Sequence, residues 1–284
     1  MEEQGRKSPC IAFRKAFLRI KRENAINLEQ IYEREKEGLA ALVGNDPVAF
    51  LRRFTDPRDI ETAGFIASQF AYGRVQQVTR FLAELFLAMG DSPHAFIASG
   101  DLTRLRDLYY RFHKGPDIIR LFTLLRRIVE KHGGIGGMIG HYYEGDLRKA
   151  VWAARADLIG PSDDLLFFFP REAPASPFKR WSLYARWMVR RDEIDFGLWT
   201  FMERRDLVVP LDANIFKIGG CLGWTDQKAQ NWKAARQITD ELKKHCPEDP
   251  LKYDFFLCHV VGIGGHCGGK RNGDCAKGCL LHEI

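Results

Sequence analysis

Asp56-Pro57-Arg58-Asp59-Ile60-Glu61-Thr62-Ala63-Gly64-Phe65-Ile66-Ala67-Ser68-Gln69-Phe70-Ala71 opens with an N-cap residue and an N1 proline. Apolar residues follow at Ile60, Ala63, Ala67, Phe70 and Ala71, the three- and four-residue steps of one helix face. That rhythm repeats along the chain, while the alternation expected of strands is scarce. It predicts further helices over 30–42, 74–89, 101–111, 116–132, 145–157, 177–191, 213–222, 228–245 and 249–261. The fold class read from this pattern is all-α, a globular array of short helices joined by Gly and Pro breaks. Gly133-Gly134-Ile135-Gly136-Gly137 is expected to resist regular structure and to separate two lobes, near 25–132 and 138–284. Residues 1–24 are charged with scattered apolar positions and read as an N-terminal helix or tail preceding one unit over 25–284.

The chain has 284 residues, 45% of them apolar, which is enough for a substantial core. Its 43 Lys and Arg against 37 Asp and Glu give a net charge of +6, which permits a polyanionic partner without requiring one. No run approaches the roughly 18 to 20 apolar residues that cross a bilayer, and Met1-Glu2-Glu3-Gln4-Gly5-Arg6-Lys7 lacks an apolar signal core. The expectation is a cytoplasmic protein with no membrane partner. Seven cysteines, an odd number, argue against a disulfide framework.

Two residues carry the chemical reading. In Ser176-Pro177-Phe178-Lys179-Arg180-Trp181, Ser176 reads as an N-cap and Pro177 as N1, which puts Lys179 in the first helical turn. A cation at that end opposes the helix dipole at a cost of roughly 0.3 to 1 kcal/mol, so stability does not ask for it. Lys179, Arg186 and Arg190 fall on one narrow stripe at 100° per residue, while Trp181, Tyr184 and Met188 form a second stripe suited to the core. A basic stripe beside aromatics suits a phosphate backbone, and it also describes an ordinary solvated face.

The second residue is Asp212, which follows the apolar run Leu207-Val208-Val209-Pro210-Leu211 and precedes a helix that ends at Leu222-Gly223. Its simplest role is N-capping, worth about 1 kcal/mol. Entry from a buried run also places its carboxylate where clefts tend to lie. An amine and a carboxylate meeting at two helix starts could attack a sugar carbon and steady the positive charge that develops there.

Cys267, Cys275 and Cys279 crowd a Gly-rich, nonhelical C-terminal loop beginning at Gly262-Ile263-Gly264-Gly265-His266-Cys267. Clustered thiolates are soft ligands for iron–sulfur or zinc, and glycines let a loop wrap a small inorganic centre. Three cysteines need a fourth ligand: His282, His266 or Cys258 could supply it, or the loop holds no metal. Cys10, Cys221 and Cys246 read as ordinary thiols.

Together these segments resemble the helix-hairpin-helix DNA glycosylase superfamily, in which a catalytic lysine starts one helix and a catalytic aspartate starts a later one. Val209-Pro210-Leu211-Asp212-Ala213-Asn214-Ile215-Phe216 is similar to the aspartate segment, with Asn214 where histidine is common, and Lys179-Arg180-Trp181-Ser182 is similar to the lysine segment of the bifunctional members. The spacing of the pair is longer than in endonuclease III and similar to the archaeal 8-oxoguanine glycosylases. Endonuclease III also carries a four-cysteine iron–sulfur loop in the place of this tail. The resemblance implies a two-lobed glycosylase architecture and a DNA partner, a duplex with a damaged base flipped out, an oxidised purine among the options. It implies catalysis by Lys179 and Asp212, with Gln69, Ser176, Arg180, Arg186 and Arg190 contacting DNA and Cys267, Cys275, Cys279 and His282 available to a metal. A noncatalytic nucleic-acid binder on the same scaffold is the alternative. One element departs: Pro170-Arg171-Glu172-Ala173-Pro174-Ala175-Ser176-Pro177 has none of the glycines of the usual phosphate-gripping hairpin. The chain is also similar, from Asp56-Pro57-Arg58-Asp59 through Arg186-Trp187-Met188-Val189-Arg190 to Pro247-Glu248-Asp249-Pro250, to an uncharacterised bacterial family of unknown function.

Overall fold

A computed structural model describes residues 27–173, 175–273 and 275–282; the expected N-terminal helix or tail over 1–24, with Cys10, lies outside the described residues. The described chain is mainly helical. Its helices are α1 (Leu28–Glu35), α2 (Leu39–Leu42), α3 (Pro57–Phe70), α4 (Val75–Met89), α5 (Pro93–Ser99), α6 (Gly115–His132) and α7 (Ile135–Tyr142). They continue as α8 (Leu147–Leu158), α9 (Lys179–Val189), α10 (Ala213–Cys221), α11 (Trp232–His245), α12 (Asp254–Phe256) and α13 (Cys275–Gly278). A π-helical run, Leu257–Gly264, extends α12.

The centre of the array is α3. Asp56 accepts the Arg58 N–H at 2.8 Å and Pro57 occupies the first turn, as the sequence requires. Almost every residue from Ile60 to Phe70 is buried, because helices or turns cover this rod on several sides. The segment Pro47–Arg53, α5, α7 and α9 all pack on it. Phe65 meets the rings of Trp181 and Tyr184 edge-on at 5.4 and 5.6 Å, so the expected core stripe of α9 faces α3. Gly64 makes the approach possible: a Cβ there would stand 2.9 Å from Met188 Cε and 3.2 Å from the Tyr184 ring.

The Gly133–Gly137 stretch departs from expectation. Gly133 closes α6 in the left-handed region at φ 76°, but Gly136 and Gly137 lie inside α7. A tertiary contact explains this. A Cβ on Gly136 would sit 2.2 Å from Glu61 Oε1, so glycine lets the carboxylate of α3 receive the first amides of α7. Trp199 Nε1 donates to the same carboxylate at 2.8 Å, and burial pushes the Glu61 carboxyl above its ordinary value.

Two expected helices take other forms. Within 101–111 only Leu102–Leu105 coils, as a 3-10 turn, and the chain then forms an antiparallel hairpin of β1 (Tyr109–Tyr110) and β2 (His113–Lys114). Aromatic residues favour strands, and Tyr110 is held extended by stacking on Phe81 at 4.7 Å and an edge contact with Phe70 at 5.9 Å. Within 249–261 a short α-helical turn passes into the π run, a widening often found at functional sites. Among the described residues no helix is long and apolar enough to cross a membrane.

Candidate active site

An open cleft of about 1090 Å³ brings Lys179 and Asp212 to one lining. Its walls come from widely separated stretches: Leu42–Pro47, the start of α4, the first turns of α9, the start of α10, and the π run with Asp254. Both candidate residues are half-buried, so each is reachable from solvent.

Asp212 is fixed by the helix it starts. Its Oδ1 accepts the Ile215 N–H at 2.8 Å, the expected N-cap, and its Oδ2 accepts from Cys258 Sγ at 3.2 Å. The thiol thus belongs to the cleft, and burial together with the Asp212 charge pushes its pKa well up. Protonated, it acts as a donor that orients the carboxylate.

Lys179 is the first residue of α9, not its third. Phe178 is the N-cap, in the left-handed region at φ 57° and with no side-chain cap, while Ser176 Oγ accepts only a long 3.4 Å bond from the Phe178 N–H. Ser176 therefore does not cap the helix as the sequence suggested; the chain turns once more after Pro177 because the Phe178 ring is drawn into the core.

The other expected DNA-contacting residues serve the interior. Gln69 is fully buried and is not part of the cleft lining; its Nε2 donates to Ser68 Oγ at 3.4 Å, and its Oε1 finds no hydrogen-bond partner among the described residues. Arg180 donates to the Phe167 carbonyl, reaches the Gln69 carbonyl at 3.4 Å and lies 3.6 Å from the Phe167 ring centroid. Desolvation lowers its pKa to about 10. Arg186 and Arg190 are 3% and 4% exposed. Arg186 Nη1 donates to Asp254 at 2.8 Å and its Nε to Asp195 at 3.2 Å. Arg190 pairs with Asp195, with Asp249 at 2.9 Å and with Asp192 at 2.9 Å. These guanidinium groups are committed to carboxylates, which replaces the expected phosphate contacts with a structural network.

Sequence reasoning missed several cleft residues. His259 Nε2 lies 3.1 Å from Asp46 Oδ2 and its ring stacks on Phe255 at 4.0 Å. Asp46 precedes Pro47 and caps the following turn through the Val48 N–H at 2.8 Å, so the same Asp-Pro signal that marks Asp56 also marks this wall. Asp254 forms part of the floor, and burial pushes its carboxyl up to about 6. Gln76 and Arg80 offer exposed polar groups from α4.

The C-terminal loop returns onto α10. Cys267, Cys275 and Cys279 line one small cavity with His282, Arg271 and Cys221, the last residue of α10. Cys258 and His266 do not line it. Burial, with the neighbouring thiols of Cys267, Cys275 and Cys279, pushes the Cys221 thiol up. Among the described residues no three His, Cys, Asp or Glu side chains converge in the arrangement that grips a single ion.

No curated protein matches the chain, and no solved structure does. Residues 46–263, which include the whole of the cleft lining except Leu42, Gly44, Asn45 and Gly264, match the model of a family described as a protein of unknown function, DUF2400. The chain belongs to that family.

Proposed function

We propose that this protein is a DNA glycosylase with associated lyase activity, acting on a damaged base flipped out of a duplex. The observation that carries the reading is the shared cleft: an amine at the start of α9 and a carboxylate at the start of α10 face one solvent-reachable space. Its volume of about 1090 Å³ suits a flipped nucleotide with flanking backbone. This reading takes the helical array as the two-lobed glycosylase arrangement, with lobes near 25–132 and 138–284.

The neutral Lys179 amine attacks the sugar C1′ as the bond from C1′ to the base breaks, and the departing base takes the electron pair and the proton that the amine releases on bonding. The Asp212 carboxylate stabilises the oxocarbenium-like charge at C1′, held in place by the Ile215 N–H and the Cys258 thiol. Opening of the sugar ring leaves a Schiff base on Lys179. Loss of a C2′ proton then expels the 3′ phosphate by β-elimination, and His259, paired with Asp46 on the same lining, is the group available to move that proton. The oxidised purine class follows the resemblance and is the first substrate to test.

Borohydride trapping on duplex DNA tests the reading. The parent is expected to form a covalent adduct on an oxidised-purine or abasic site, and Lys179→Gln to form none. Absence of an adduct on every lesion, or equal trapping by Lys179→Gln, would overturn it.

A second reading is a noncatalytic nucleic-acid binder. It is favoured by the Pro-rich approach to α9, which has no glycines to present a nest of amides, and by the burial of Arg186 and Arg190. Salt-dependent DNA binding without turnover supports it, and turnover lost in Asp212→Asn removes it.

A further inference from the structure

The tail alone offers three thiols, but the cavity they line has four. We propose that Cys221, Cys267, Cys275 and Cys279 form a four-thiolate site for an iron–sulfur cluster, with the fourth ligand supplied by the C-terminal end of α10. Three observations select Cys221 over the other residues able to complete the set. Cys258 is engaged with Asp212 in the active-site cleft, and His266 lies off the cavity. His282 lines the cavity but is exposed, whereas Cys221 is half-buried on a helix whose position the core already sets.

The donor set fits the group. Thiolates are soft ligands, and four of them match the usual ligation of iron–sulfur clusters. The four cysteines line one cavity, and a cluster takes one protein thiolate on each iron, so they need not meet at a single point. Each thiol gives up its proton on ligation, and four neighbouring thiolates would repel one another without the cation charge between them. Arg271 adds a positive side chain to the same lining. The loop is already seated: the Cys267 N–H donates to the Gly262 carbonyl at 3.2 Å, and Gly269, at φ 79°, lies so close to Lys217 of α10 that a Cβ would meet that side chain at 3.1 Å.

Ligation by Cys221 joins the tail to α10, the helix that Asp212 caps. The site thereby braces one end of the helix whose other end carries the cleft carboxylate. This inference does not depend on the proposed reaction, and its test does not read activity.

The full chain is reconstituted without oxygen using ferrous iron and sulfide, then analysed for bound iron, acid-labile sulfide and visible absorption. The parent is expected to take up iron and sulfide in equal amounts and to become coloured. Cys221→Ser is expected to bind at least tenfold less of both, while Cys246→Ser and His282→Ala bind as the parent does. If Cys221→Ser does not fold, alkylation of the reconstituted parent followed by peptide mass spectrometry answers the same question. Cys221 should be protected along with Cys267, Cys275 and Cys279, and Cys246 labelled. A parent that takes up no iron and sulfide, or that takes up zinc and no iron or sulfide when all three are offered together, overturns the proposal. So does full cluster content in Cys221→Ser, or labelling of Cys221 in the loaded protein.

Discussion

Lys179 and Arg186 stand two turns apart on one face of α9, and the protein treats their charges in opposite ways. Lys179 begins the helix on the wall of an open cleft. Arg186 is 3% exposed and lies between two carboxylates, Asp195 from the stretch after α9 and Asp254 from the start of α12. Both line the same cleft, but among the described residues only Arg186 has buried carboxylate partners. The difference teaches that a basic stripe does not announce its own purpose. What decides is whether the fold delivers acids to it, and here it delivers them to the second and third members of the stripe and not the first.

The sharpest way to break this contrast is Arg186→Ala. It leaves Asp195 and Asp254 buried without that partner, and removal of one member of such a pair costs about 3–5 kcal/mol. Urea denaturation should show a loss of that order, and a change below about 1 kcal/mol would place Arg186 with Lys179 after all.

A smaller and pH-dependent effect is expected at Asp254. The folded chain holds its proton up to about pH 6, while the ordinary value for an aspartate is 3.8. Its contribution to stability is therefore complete below 3.8 and is lost as the pH rises through 6. The stability of the parent relative to Asp254→Asn should fall across that interval, and a difference that rises with pH would contradict burial as the governing cause.

Asp212→Ala removes the cap of α10 and should cost about 1 kcal/mol, measured by the same denaturation. Smallest of all, Lys179→Ala should change stability by no more than about 0.5 kcal/mol, with a gain in the direction the helix dipole favours. A large loss at Lys179 would mean that it, too, is a structural cation.

The legible parts of this chain were the local ones. Asp56-Pro57 and Asp212 each announce a helix start through groups within three residues of one another, and the structure keeps both. The apolar stripe of α9 was legible because its period belongs to the helix itself. The failures depend on partners distant in sequence. The stripe of Arg186 and Arg190 reads as a surface until Asp249 and Asp254 fold against it. Leu102, Leu105 and Leu108 keep helical spacing, but the aromatic cluster around Tyr110 turns the following residues into a hairpin. Gly136 and Gly137 read as a break because nothing nearby shows that the Glu61 carboxylate waits to receive the helix they join. Cys221 looked ordinary for the same reason: its neighbours Cys267, Cys275 and Cys279 arrive only when the tail folds back.

Gly64 has an effect that reaches beyond the contact it makes. The missing side chain lets Met188 and Tyr184 settle against α3, and those residues belong to the same rod that begins with Lys179. Position 64 is therefore a shim behind one doorpost. A methyl group there would meet Met188 Cε at 2.9 Å and the Leu51 and Tyr184 side chains at 3.2 Å, so the seating of α9 on α3, the rod that Lys179 begins, takes no added carbon without repacking.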